Sequence, residues 1–234
     1  MIEKFNSQMK LGEIVNQLPD ASNVFKNYQI DFCCGGNRTL KEAAEEQGIN
    51  LEQVIQQLNE AYQKPLKLEN KQVDWQTIGY SFLIDHILQT HHSYLKKELP
   101  EISALVTKIL RVHGTGHKEL AQLHRQFHLL QMDLMQHLIK EEEELFPLIK
   151  KYEKEASKEL LEMIQNNIEE LEKEHLEAGT ILKTMRVITE NYLIPDDACK
   201  TFRLTYQSLE YLETDLFDHI HLENNILFPR LLSE

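Results

Sequence analysis

Two segments of the chain share one pattern of potential metal ligands. His137-Leu-Ile-Lys-Glu141 continues to Leu145-Phe146-Pro147, and His219-Ile-His-Leu-Glu223 continues to Leu227-Phe228-Pro229. Both read H-x3-E-x3-L-F-P. A lone histidine precedes each copy, His92 45 residues before His137 and His175 44 residues before His219. Two similar halves therefore each supply His, His and Glu. Residues four apart on an α-helix share a face, so His137 can point with Glu141, and His219 with Glu223, at one centre. Two bridging carboxylates and two imidazoles per ion would give each of two transition metals four protein ligands. Positions would remain for an oxo or hydroxo bridge and for an outside molecule. Mixed nitrogen and oxygen ligation with open positions suits iron or manganese better than structural zinc, which takes a closed tetrahedron.

A single H-x3-E on a helix is ordinarily a solvated pair. The repetition, with the same L-F-P trailer and near-equal spacing to an upstream histidine, sets these two apart. The L-F-P trailer itself reads as packing and helix termination. Spacing alone does not separate His91 from His92. His124 and His128 are also four apart but have no counterpart in the other half, and His86, His113 and His117 read as solvated. His221 lies about 200° around the helix from His219 and should face away. The acid run Glu141–Glu144 reads mostly as a solvated face. Glu174 and Glu177 flank His175 and could orient it, although a plain surface role fits them too.

Asp31-Phe-Cys33-Cys34-Gly-Gly36 is a second constellation. Adjacent cysteines before two glycines suggest an approachable thiol pair, close to a helix start at Thr39 that would favour thiolate. A bridge between neighbours strains the peptide, so redox or metal-thiolate chemistry suits the pair better than a structural disulfide. Two small buried residues before a turn would look the same. Cys199 reads as simply packed on a helix.

The elements that must position these groups are helical. The 234 residues include only 8 Gly and 6 Pro, and 41% are hydrophobic against 27% charged. Leu, Glu, Lys, Gln and Ala fill the long uninterrupted stretches. Residues 1–63 read as a small helical domain with short amphipathic segments at Leu11–Leu18 and Ser22–Tyr28. Thr39 with Glu42 forms a capping-box signature, and Asn50 is a second cap before a helix to Gln63. Residues 64–73 read as a linker. Residues 74–234 read as four long helices, about Trp75–Val112, Lys118–Lys151, Lys154–Asn191 and Asp196–Leu232, with Pro100 kinking or interrupting the first. Short connections between them suggest an up-down-up-down bundle, with part of the ligand set on each helix. The formal charge of −13 argues against nucleic acid and anionic membranes. No apolar run reaches the roughly 18 residues of a membrane span. The polar start of the chain lacks a signal-peptide core, so the cytoplasm is the expected location.

With these residues in hand, the chain resembles the iron-sulfur cluster repair di-iron proteins of the ScdA/YtfE type. The signatures are Asp31 to Gly36, Ile84-Asp-His86, Lys140-Glu-Glu142, Glu174-His175, and Asp218-His219 through Leu227-Phe-Pro229, all in family order. The resemblance implies an all-α fold, a hemerythrin-like up-down-up-down four-helix bundle preceded by a small helical cysteine-bearing domain. It implies two non-haem iron ions, carboxylate- and oxo-bridged, held by His92, His137, Glu141, His175, His219 and Glu223. It favours His92 over His91. It also implies repair of clusters damaged by oxidative or nitrosative stress, with damaged iron-sulfur proteins as acceptors and Cys33 and Cys34 as relay or redox thiols. On this reading the chain is an iron donor more than a conventional enzyme, with oxygen and nitric oxide as small ligands, and a homodimer is admitted. A di-iron nitric oxide reductase and an oxygen or nitric oxide sensor are the competing readings.

Overall fold

The computed structural model describes residues 4–63 and 73–234. The expected linker lies almost wholly outside the described residues. The fold is all-α and hemerythrin-like, with a small helical N-terminal domain. Among the described residues, the only β pairing is an isolated bridge between Lys10 and Thr39. The chain divides into two compact units, Met1–Gly79 together with Phe217–Glu234, and Tyr80–Leu216.

The first unit begins with α1 (Leu11–Gln17), α2 (Ala21–Asn27), α3 (Leu40–Gln47) and α4 (Leu51–Gln63). The expected caps are present. Glu42 N–H donates to Thr39 Oγ1 at 3.2 Å, and Thr39 N–H donates to Glu42 Oε2 at 2.8 Å. Asn50 Oδ1 accepts from the N–H groups of Glu52 and Gln53. Gly48 closes α3 at φ 65°, a left-handed position that costs a glycine little. Phe5, Leu11, Ile14, Phe25, Phe32, Leu40, Val54 and Leu58 are buried and supply the core. The C-terminal stretch of this unit holds a π-turn at Glu223–Leu227 and α11 (Phe228–Leu232), and α1 packs on that turn.

The second unit is built of rods. The first is α5 (Tyr80–Ile87), a π-turn at Leu88–His92 and α6 (Ser93–His113). The second is α7 (Glu119–Lys140), a π-turn at Glu141–Leu145 and α8 (Phe146–Tyr152). The third is the unbroken α9 (Lys158–Ile188), capped by Ser157 Oγ on Leu160 N–H at 3.2 Å. The fourth is α10 (Lys200–Leu222), which lies in this unit as far as Leu216.

Side-chain pairs fix their antiparallel order. Ser103 meets His128 while His92 meets Glu142, so the first two rods run oppositely. His91 meets Asp215 and Tyr94 meets Tyr211, while His113 meets Cys199 at the far end. The fourth rod therefore returns along the first. Arg186 on Glu213 and Tyr192 against Tyr206 set α9 and α10 oppositely as well.

Pro100 sits inside an unbroken α6. The break in the first rod falls at Leu88–His92 instead. Several helix ends also come inward of the sequence reading, because residues 74–79, 153–157 and 189–199 form turns and loops, while the first two rods end one residue later than expected, at His113 and Tyr152.

Candidate metal centre

The ligand candidates stand at irregularities of the rods. His92 closes the first π-turn, Glu141 opens the second and Glu223 opens the third. π-turns are rare and concentrate at functional sites. The L-F-P trailer suggests a physical cause for two of them. Pro147 and Pro229 have no N–H to give back along the rod, so the ladder lacks one bond beside each of these π-turns, although Pro100 within α6 shows that one missing bond alone does not break a helix. Leu145, Phe146, Leu227 and Phe228 are buried, so the trailer packs as expected. It does not terminate the helix. The rods run on as α8 and α11, because Pro at the first turn of a helix removes only a bond that turn lacks anyway.

In the second unit, four candidates converge. Glu141 Oε2 lies 3.3 Å from His92 Nε2 and 3.4 Å from His137 Nε2. His175 Nε2 lies 2.9 Å from His137 Nε2. The exposures of His92, His137, Glu141 and His175 are 1%, 3%, 0% and 2%. In the first unit, His219 Nε2 lies 3.0 Å from Glu223 Oε1, at 1% and 0% exposure. A metal–donor bond of ~2.1 Å sets donor separations of ~3.0 Å at a right angle and ~3.4 Å at a tetrahedral one. The separations here fall in that range, and they involve the Nε2 atoms that would face an ion. Burying an ionised carboxylate costs several kcal/mol, which a cation can offset. The residues therefore fit a divalent or trivalent transition metal.

The imidazoles are oriented from behind. His92 Nδ1 is 2.8 Å from Glu142 Oε1, and His137 Nδ1 is 2.8 Å from Glu174 Oε2. Each carboxylate is placed to hold the Nδ1 proton, which is the tautomer in which Nε2 can ligate a metal. Against the burial that pushes it up, Lys96 and His92 hold the Glu142 carboxyl below the usual range. The His137 hydrogen bond, with Lys140 beside it, draws Glu174 down to about 2. Lys96 meets Glu142 and Lys140 meets Glu174, each at 2.5 Å. A cleft of about 180 Å³ lined by Asp133, Gln136, His137, Glu174, His175 and Glu177 opens onto this side.

These partners were poorly legible. Glu174 orients His137, not the adjacent His175. Glu142 belongs to a run read as solvated, and only its place beside Glu141 could have drawn attention to it. The neighbouring histidines part, since His92 turns to Glu141 while His91 Nδ1 lies 3.0 Å from Asp215 Oδ1. His221 faces away from His219 as expected, yet it is buried against Phe32, and burial lowers its pKa to about 4. His117 is engaged by Glu119 and Asp197 and is not merely solvated. His124 and His128 take Thr107 and Ser103 as partners.

The cysteines divide. Cys33 is buried at 1% exposure and Cys34 is half-buried, with their Sγ atoms 3.8 Å apart. Burial, and then Cys34 beside it, push the Cys33 thiol well up. Only Cys34 matches the expectation of an approachable thiol. Asp31 Oδ1 organises the loop, accepting from Cys33 Sγ–H at 3.3 Å, Cys34 N–H at 3.0 Å and Gly35 N–H at 3.1 Å. Cys199 is exposed just before α10, with His113 Nε2 3.2 Å from its sulfur, so it is not a packed residue.

Residues 83–231 match the hemerythrin HHE cation-binding domain. Residues 7–62 match the ScdA N-terminal domain, described as a domain of unknown function, DUF542. A probable iron-sulfur cluster repair protein of Haemophilus influenzae is 36% identical over 228 residues, 97% of this chain and 98% of the relative. The iron-sulfur cluster repair proteins YtfE of Enterobacter sp. (strain 638) and of Escherichia coli (strain K12 / DH10B) are each 34% identical over 223 residues. These alignments cover 95% of this chain and 96% of the relative.

Proposed function

The chain belongs to the iron-sulfur cluster repair family and carries a hemerythrin-like cation-binding domain, and from that premise we propose that it supplies iron to iron-sulfur proteins damaged by oxidative or nitrosative stress. Six side chains would hold two iron ions: His92, His137, Glu141, His175, His219 and Glu223, with the two glutamates as bridges. The observation that carries this reading is a buried carboxylate oxygen, Glu141 Oε2, within 3.4 Å of the Nε2 atoms of two imidazoles. Iron in such mixed nitrogen and oxygen ligation is both redox-active and exchangeable.

The chain's own residues divide the remaining work. Glu142 and Glu174 fix the tautomers of His92 and His137. The acidic cleft beside His137 and His175 offers cations a route along carboxylates. Cys34 presents a sulfur at the surface of its loop, and Cys33 backs it from the interior. The pair serves as relay or redox thiols, because thiolates suit cluster iron. The acceptors are damaged iron-sulfur proteins. Among the described residues no helix is long and apolar enough to cross a membrane, and the cytoplasm is the proposed setting.

The test is metal analysis of the purified, anaerobically iron-loaded protein beside a His137→Ala, Glu141→Ala variant, then incubation with an apo-cluster acceptor. About two irons per chain, lost in the variant and transferred by the intact protein, are expected. A Cys33→Ser, Cys34→Ser variant should keep its iron and lose transfer. Iron uptake no higher than the variant's would sink the reading. Nitrous oxide production without an acceptor would replace donation with nitric oxide reduction.

A further inference from the structure

Within the first compact unit, the cysteine loop is seated on the turn that carries Glu223, and one side chain makes the connection. Asn225 Nδ2 donates to Cys33 O at 2.9 Å and to Phe32 O at 3.3 Å. Asn225 stands two residues after Glu223, inside the π-turn Glu223–Leu227. Its own carbonyl accepts from Asn16 Nδ2 at 3.0 Å. Two glycines give its side chain room. A Cβ added at Gly36 would lie 2.0 Å from Asn225 Oδ1, and one added at Gly12 would lie 2.4 Å from the same atom. Neither glycine has a positive φ, so the backbone would accept alanine at both. Gly12 N–H in turn donates to Gly36 O at 2.9 Å, which ties α1 to the loop. Lys26 Nζ on Asp218 at 2.8 Å and Phe32 against Phe217 and His221 support the same seat.

We propose that Asn225 is a positioning residue that couples the Cys33–Cys34 loop to the metal ligand Glu223. The inference rests on the metal reading above. The Asn225 amide grips the two carbonyls that precede the Cys34 thiol, while its backbone is part of the turn that sets Glu223. Any constraint on Glu223 therefore reaches the loop through two peptide units. Linkage makes the effect reciprocal: the factor by which metal changes the loop equilibrium is the factor by which the loop changes metal affinity. Asn225 reaches the loop through its backbone carbonyls and is not among the ligand candidates, so it acts through position alone.

The experiment measures the alkylation rate of Cys34 by iodoacetamide, in full-length protein with Cys199→Ser to remove the other exposed thiol. It compares metal-free and iron(II)-loaded samples, and mass spectrometry locates the label. Loading should slow Cys34 labelling at least threefold in this parent. Asn225→Ala should label fast and at one rate in both states, while still binding iron. Asn225→Asp keeps the shape but loses the donors, and should behave like the alanine variant. Gly36→Ala attacks the contact from the loop side and should also abolish the difference. Gly12→Ala serves the same purpose should Gly36→Ala fail to fold. Blocking Cys34 should change iron release to a chelator in the parent, and leave it unchanged in Asn225→Ala. Equal labelling rates in the iron-loaded and metal-free parent would overturn the coupling and leave iron binding intact. A parent that takes up no iron overturns the metal reading together with it.

Discussion

The two copies of H-x3-E-x3-L-F-P share one local frame and face different company. In both, a buried Glu opens a π-turn and a buried Leu-Phe pair precedes a proline at the next helix start. The residues inside the turns differ. After Glu141 comes Glu142, which holds the proton on His92 and is drawn to Lys96. After Glu223 come Asn224 and Asn225, and Asn225 binds the backbone of the cysteine loop. One copy is tuned by charge and the other serves as a seat for neighbouring backbone. A duplicated ligand frame can thus keep its buried chemistry while its outward positions diverge, because the buried atoms are constrained by each other and the outward ones only by what touches them.

The largest effect that would break the symmetry is on metal. Glu141→Ala and Glu223→Ala should each abolish the proposed two-iron centre, as read by metal analysis; retention of two irons by either variant would mean that the two carboxylates are not equivalent bridges. The trailers should respond alike, Phe146→Ala and Phe228→Ala each costing about 3–5 kcal/mol. The turn residues should then differ. Glu142→Gln should weaken iron affinity by about 10–100-fold, as should its counterpart on α9, Glu174→Gln. The smallest effect belongs to the seat. Lys26→Ala removes a partly buried ion pair with Asp218 and should cost about 0.5–1 kcal/mol, with iron content unchanged.

Thiol chemistry sharpens the contrast within the loop. The thiolate is the reactive form, and a raised pKa means that it forms only as pH climbs through that higher value. Cys33 should therefore label after Cys34 at neutral pH, and gain on it as pH rises. Equal rates at pH 7 would mean that the buried thiol is not held protonated.

The helical frame was legible because period and composition act locally: Thr39 with Glu42, Asn50 and the long Leu-rich stretches all behave as their types dictate. His137 with Glu141, and His219 with Glu223, were legible because four residues on a helix fix a shared face. What escaped depends on through-space neighbours. Glu174 could be placed beside His175 in the chain but not against His137 across a helix pair. Cys33 and Cys34 are adjacent and chemically identical, yet burial separates them. Asn225 carries no chemical signature, and its importance lies in two glycines far away in the chain. Pro100 was expected to disturb α6, but a helix can bypass one missing bond when its packing continues on both sides.

The π-turns also have a meaning for register. An α-helix advances about 100° per residue, and a π-turn holds one residue more than an α-turn. Each is thus a phase slip in an otherwise regular rod. Deleting Thr90 from Leu88–His92 would leave that turn its full rotation with one residue fewer, so α5 and α6 would keep their relative phase and the rod would run there as plain α-helix. The surplus residue is therefore confined to the turn that ends at His92, separable by one codon from the fold that carries it.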